Sequence, residues 1–322
     1  MKMNTKTSGA IVRAFMIAML AAAISLLSAC GKSSNGAVTG KVNVVTSFYP
    51  LYFLANEIGG EDAHVVNLIP AGVEPHDWTP KSRDLITVGD AQLFLYNGAG
   101  LEGWLDDFLH GLDSSGKTLT VEASKGIALI QGNPEEENHE EEHEAHGDSD
   151  VDPHTWVSPK SALVMAKNVL DAFIQADAVH RSGYEERYAS LEAKLAKLDD
   201  QFETGLSALP NKNIVVSHQA FGYLARDYGL NQVAIMGLSP EAEPRSQDLL
   251  KVVEFVKEHK VKVIFFEELV SDRLAKTLAS EAKVETMVLN PLEGLTPQQE
   301  KAGDDFITIM ERNLQNLRQA LQ

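Results

Sequence analysis

From residue 41 onward, short runs of β-branched residues alternate with stretches whose apolar positions recur every three or four residues. That alternation between a strand period and a helix period is the signature of α/β layering. Strand-like runs fall at 43–46, 64–68, 92–96, 119–122, 213–217, 261–267 and 286–289, and helical patterns at 51–58, 101–109, 160–175, 246–258, 271–282 and 303–321. Between the two strand-containing halves lies one long amphipathic stretch, 183–206, with Tyr184, Tyr188, Leu191, Leu195, Leu198, Phe202 and Leu206 on a single stripe. At 1.5 Å per residue it predicts a rod of roughly 35 Å joining two lobes. A coiled coil between two copies is the alternative use of such a stripe, but a seam of under about four heptads is short for a free-standing one. A monomer is therefore expected, with an N-terminal α/β lobe over 41–181, a linker helix over 182–208 and a C-terminal α/β lobe over 209–322.

The first 30 residues do not fit this layering. Lys2, Lys6 and Arg13 precede an uncharged, mostly apolar run, 14–28, which is too short for a membrane span and reads as an export signal. It ends in Leu27-Ser28-Ala29-Cys30, which resembles a bacterial lipobox. That resemblance implies cleavage after residue 29, acyl chains on Cys30 and a location at the extracytoplasmic face of the cell membrane, since two or more chains anchor stably where one is marginal. Residues 30–40 then read as a flexible tether. A plain cleaved signal with an incidental cysteine is the alternative.

Composition narrows the partners. The 322 residues carry 28 Lys+Arg against 46 Asp+Glu, a net charge of −18, and loss of residues 1–29 would take it to −21. Nucleic acid is excluded as a partner, because a phosphate backbone is held by clustered Lys and Arg. With Cys30 the only cysteine, an internal disulfide and a Cys-rich zinc module are excluded too. Residues 135–150 stand apart, with nine acidic residues and His139, His143 and His146 but nothing larger than Ala to enter a core. This segment reads as a solvated, disordered loop that gathers metal ions loosely or merely solubilises.

Three motif matches fail on context. Gly98-Ala-Gly100-Leu-Glu-Gly103 fits the dinucleotide fingerprint G-x-G-x-x-G, with Glu122 about twenty residues on. Yet the first strand of the lobe is near residue 43, and bulky Trp104 follows where close helix-to-sheet packing is wanted. Gly111 to Thr118 fits the phosphate loop G-x-x-x-x-G-K-[ST], but a helix precedes it and a strand follows, the reverse of what the chemistry requires. His139-Glu-Glu-Glu-His143 fits H-E-x-x-H, but an acidic tract with no apolar face cannot supply the packed helix of a zinc protease.

A fourth constellation is dispersed: His76 in Glu74-Pro-His76-Asp-Trp78, His154 in Asp152-Pro-His154-Thr-Trp156, His218 in Ser217-His218-Gln-Ala-Phe221, and Glu293 in Asn290-Pro-Leu-Glu293-Gly. Singly, each His has an ordinary reading as a hydrogen-bonded loop or cap residue. Together, His76, His218 and Glu293 follow the ends of strand candidates, and open α/β sheets bind ligands beyond the carboxyl ends of their strands. Two groups would come from each lobe.

On these residues, with the lipobox, the Ser47-Phe48-Tyr49-Pro50 opening and the His-rich acidic insert, residues 41–322 resemble the zinc-binding members of the bacterial metal-ion solute-binding proteins that serve ABC importers. The resemblance implies an α/β fold of two Rossmann-like lobes joined by one long rigid helix, with a metal site in the interlobe cleft. It implies His76, His154 and His218 as imidazole ligands and Glu293 as the fourth, water being the alternative there. It also implies Zn²⁺ as the carried ion and an ABC permease as partner. Three imidazoles and a carboxylate suit tetrahedral Zn²⁺, whereas a manganese site would offer more oxygen. A broad divalent-metal carrier, a surface adhesin and a zinc hydrolase remain as alternatives; a carboxylate filling the fourth position leaves no activated water for the last. Trp78, Trp156 and Phe221 flank the ligand segments and are expected to wall the site.

Overall fold

The computed structural model describes residues 37–112, 117–131, 151–241 and 244–322. The export signal, Cys30 and the insert with His139, His143 and His146 lie outside them, as does most of the tether.

The first sheet takes β1 (Val42–Thr46), β2 (Ala63–Asn67), β3 (Leu93–Tyr96) and β4 (Leu119–Glu122) in the order β2-β1-β3-β4. The second takes β5 (Asn213–Val216), β6 (Asn231–Ala234), β7 (Val263–Phe266) and β8 (Glu285–Val288) in the order β6-β5-β7-β8. Every pairing is parallel, so both lobes have the α/β class expected. In each, the strand order reverses beside the first strand, between β1 and β3 and between β5 and β7. These are the switch points where such sheets open a crevice.

Helices α1 (Tyr49–Gly59), α2 (Ser82–Gly89), α3 (Leu105–Leu112) and α4 (Pro159–Ala176) belong to the first half. Then α5 (Arg181–Ser207) runs 27 residues, about 40 Å. Tyr184, Leu191, Leu195, Leu198, Phe202 and Leu206 of its stripe are all buried. The second half carries α6 (Gly222–Tyr228), α7 (Ser246–Glu258), α8 (Arg273–Ala282), α9 (Pro297–Ala302) and α10 (Phe306–Ala320). The rod packs on α1 and α4 from one side of the chain and α10 from the other. One apolar cluster runs from Val44 and Phe53 through Leu195 to Phe265 and Leu317, and Phe53 of α1 stacks on Phe306 of α10 at 5.5 Å. A core shared in this way resists wide hinge opening, because close-packed interiors deform little.

Several elements depart from the sequence pattern. The helix expected from residue 101 starts at Leu105, because the preceding glycine-rich turn closes on a buried carboxylate. The helix expected over 303–321 starts at Phe306: Gly303, at φ 77°, caps the preceding α9 in the left-handed region, and the Asp305/Thr308 capping box starts α10 afresh. Strand β6 and helices α2, α6 and α9 carried no usable periodicity. Val88 is the only fully buried residue of α2, and β6 (NQVA) has none.

Candidate metal centre

The four dispersed residues meet. His76 stands on the loop after β2, His154 at the turn into α4, His218 two residues past β5 and Glu293 beyond β8. One ligand atom from each lies within 4.8 Å of the other three. The Glu293 Oε1 is 3.3 Å from His76 Nε2, 3.3 Å from His154 Nε2 and 3.2 Å from His218 Nε2. His154 Nε2 is 3.1 Å from His76 Nε2 and 3.2 Å from His218 Nε2. Edges of that length put the centre of a regular tetrahedron about 2.0 Å from its corners, the Zn–N and Zn–O bond length. Ca²⁺ would need 2.3–2.6 Å and six to eight oxygens. The side chains of His154 and His218 are fully buried and that of Glu293 is 1% exposed, while His76 is 11% exposed, so access is from the His76 side.

The rings are oriented from behind. His154 Nδ1–H donates to Asp152 Oδ1 at 2.8 Å, and His218 Nδ1–H donates to Glu267 Oε1 at 2.7 Å. Each bond fixes the tautomer that turns the Nε2 lone pair to the centre and raises its basicity. Glu267 comes from sheet register: Val215 of β5 pairs with Ile264 of β7, and three residues on along both chains stand His218 and Glu267. Asp152 comes from local geometry, because a carboxylate two residues before His154 also accepts that residue's backbone N–H at 3.0 Å. Glu74 caps the N–H of His76 in the same way at 2.9 Å. The repeated acid-Pro-His tripeptide was the available sequence signal for both acids, and neither had been assigned a role.

The electrostatics suit a cation. Buried oxygens without a hydrogen-bond partner include Glu74 Oε1, Asp152 Oδ2 and Glu293 Oε2, leaving uncompensated negative potential round three imidazoles. Burial alone would push Glu293 up, but His218, His154 and His76 overcome it and hold the carboxyl well below the usual range. Burial would likewise lower His218, yet Glu267 and Glu293 hold it well above an ordinary imidazole. His154 is raised more modestly, by Asp152 and Glu293 against burial. His76 is lowered, chiefly by burial. Burial, then the charge of Glu293, pushes Glu74 up to about 8. Glu267 and Glu293 thus favour a proton on His218, and a divalent ion bound here would have to take that proton's place.

Replacing Glu267 with Gln keeps a hydrogen-bond acceptor and removes its charge. Zinc affinity is expected to fall by about 10–100-fold in competition with a chelator of known affinity, and Asp152→Asn should behave alike. Unchanged affinity in both would deny the carboxylates their orienting role.

The discarded motifs find structural explanations where they are described. Gly98, Ala99 and Gly100 all have positive φ, and the loop's anion is its own. The backbone N–H groups of Asn97 and Gly98 and the Ser47 hydroxyl donate to the buried Glu102 carboxylate at 2.8, 3.0 and 2.7 Å. Asn97 in turn donates to the Pro153 carbonyl and accepts from the Thr155 hydroxyl, bracketing His154. The glycine-rich turn therefore serves the metal centre instead of a phosphate. For 111–118, α3 precedes and β4 follows, residues 113–116 being outside the description. Of the aromatics, Trp156 lies 5.4 Å from the His154 ring and Phe221 is buried. Trp78 instead packs edge-on to Trp104, 5.5 Å away.

Two parallel α/β sheets thus accompany a buried set of three imidazoles and a carboxylate that could hold a divalent cation. Residues 44–320 match the family of the periplasmic zinc-uptake complex component A, ZnuA, and the chain belongs to that family. It is 41% identical over 307 residues to the high-affinity zinc uptake system protein ZnuA of Bacillus subtilis, covering 94% of this chain and 96% of that one. It is 39% identical over 303 residues to the zinc-binding lipoprotein AdcA of Streptococcus pneumoniae, of which it spans only 60%. A crystal structure of the Zn(II)-bound ZnuA-like domain of that AdcA superposes with a TM-score of 0.75 at 39% identity, covering 88% of this chain and 99% of that one.

Proposed function

We propose that this chain is the extracytoplasmic zinc receptor of an ABC-type importer, a binding protein and not an enzyme. It captures Zn²⁺ with His76, His154, His218 and Glu293 and hands the ion to a membrane permease. The observation that carries the reading is the buried four-residue set, five of whose six ligand-atom separations are 3.1–3.3 Å, a spacing that suits four-coordinate Zn²⁺ and gives a carboxylate the position an activated water would take. Family membership and the zinc-named relatives support it. The lipoprotein naming of AdcA supports Cys30 as an acylated residue holding the receptor at the extracytoplasmic face of the membrane. His139, His143 and His146 are proposed to gather cations loosely.

The test is metal capture. Protein purified without chelator should hold stoichiometric zinc, and manganese in excess should not displace it. Because zinc must displace protons from imidazoles, affinity should be markedly weaker at pH 5.5 than at 7.5. Equal affinity at the two values, or manganese displacing zinc, would overturn the assignment.

A further inference from the structure

The segment that carries Glu293 is held from both lobes. On its own side Asn290 is fixed by Asn313, which donates to the Asn290 carbonyl at 2.7 Å and accepts its N–H at 2.9 Å. Asn290 also donates to Glu268 at 2.8 Å, and Gln299 donates to the same oxygen at 2.6 Å. The two residues between this brace and the ligand are Pro291 and Leu292. Leu292 is fully buried and has φ 60°, a left-handed conformation that a branched apolar side chain disfavours and that its surroundings must hold in place. Within its own lobe the Leu292 N–H donates to Asn290 Oδ1 at 2.7 Å, and the other lobe adds a second restraint: the indole N–H of Trp156 donates to the Pro291 carbonyl at 2.7 Å. Trp156 is 1% exposed, packs edge-on to Phe48 at 4.6 Å, and stands two residues after His154 on the same turn.

We infer that Trp156 is a positioning residue that sets the fourth ligand, tying the strained Pro291-Leu292 step of the second lobe to the His154 turn of the first so that Glu293 completes a four-coordinate site. The inference rests on the proposed role of Glu293 as a zinc ligand. It makes Trp156 a determinant of metal choice. With the clamp in place the carboxylate closes a tetrahedron. Without it, Leu292 relaxes, Glu293 withdraws, and water fills a looser site that suits ions of higher coordination number.

The test uses the cobalt-substituted full chain, because four-coordinate Co²⁺ absorbs visible light several-fold more strongly than five- or six-coordinate Co²⁺. Trp156→Phe keeps the buried ring and removes the N–H. It should lower the visible absorption toward the higher-coordinate level and weaken zinc by about 10–100-fold, as typical for a group acting through a ligand, with manganese affinity unchanged or improved. Phe48→Leu, which loosens the packing of Trp156 but leaves its N–H, should lower stability and keep the cobalt spectrum. Glu293→Ala separates the two claims. If it leaves the spectrum of the wild type, the ligand assignment itself fails. If it alters the spectrum while Trp156→Phe does not, only the clamp fails, and equal spectral loss in Phe48→Leu would also overturn the clamp. Should Trp156→Phe not fold, the wild type still decides. In the zinc-loaded protein the indole N–H of Trp156, assigned by NMR against Trp78→Phe and Trp104→Phe, should exchange far more slowly than an exposed indole, and rapid exchange would refute the bond.

Discussion

His218→Ala is expected to lose zinc at neutral pH and to destabilise the metal-free protein as well. The loss of metal should exceed the 10–100-fold typical of changes behind the ligands, because an imidazole of the coordinating set is gone. The loss of stability has a separate cause. His218, whose charged form both carboxylates favour, lies 2.7 Å from Glu267 and 3.2 Å from Glu293, both buried. Removing it leaves two carboxylates in the interior without their cation, and breaking a buried pair in this way costs about 3–5 kcal/mol, or roughly 5–10 °C in Tm. His76→Ala is the control. His76 is the most exposed of the three imidazoles and burial keeps it from charging, so this variant should lose zinc with little change in metal-free Tm. Equal destabilisation by both changes would remove the ion-pair account of the metal-free centre.

Zinc should reverse the pH trend of stability. In the metal-free protein His154 and His218 are raised above their unfolded value. Their contribution is fully present below about pH 6.5 and is lost as pH rises through the folded values. Glu293 is depressed, so its contribution is present above about pH 4.3 and is lost as pH falls through its folded value. Metal-free Tm should therefore be highest under mildly acid conditions and decline toward pH 8.5. Zinc needs the imidazoles deprotonated, so its stabilisation grows over the same interval. At a free concentration 1,000-fold above Kd that stabilisation reaches about 4 kcal/mol. The exposed His180–Asp177 pair, whose His is raised as well, contributes alike with and without metal and cancels in the difference. A zinc-induced rise in Tm that shrinks from pH 6 to 8.5 would contradict the proton-for-zinc exchange.

The lobes are legible in the sequence because they rest on strong local signals, whereas the four ligand residues are weak singly and become a set only through the family resemblance. Strand runs such as VNVVT of β1 are buried along their whole length, and His76, His218 and Glu293 lie on segments that follow strands, while His154 lies at the turn into α4. The orienting acids were less legible. Glu267 lies at the end of an expected strand, but its meeting with His218 depends on β5 pairing with β7 across a crossover, which no local pattern encodes. The Trp156–Pro291 bond joins residues 135 positions apart for the same reason. Strand β6 and helix α2 were missed because burial is what imprints a period on sequence. Ile86 of α2 is 65% exposed, and Asn231 of β6 faces solvent. The glycine-rich turn misled in an instructive way: its spacing reports backbone that must cradle an anion, and the anion here is Glu102.

The most direct measurement is zinc-edge diffraction and absorption on crystals of the loaded protein. The account predicts a single strong anomalous peak in the cleft, about 2.0–2.2 Å from the Nε2 atoms of His76, His154 and His218 and from a Glu293 oxygen. No zinc in the cleft, or the three imidazoles standing apart in the loaded crystal, would contradict it.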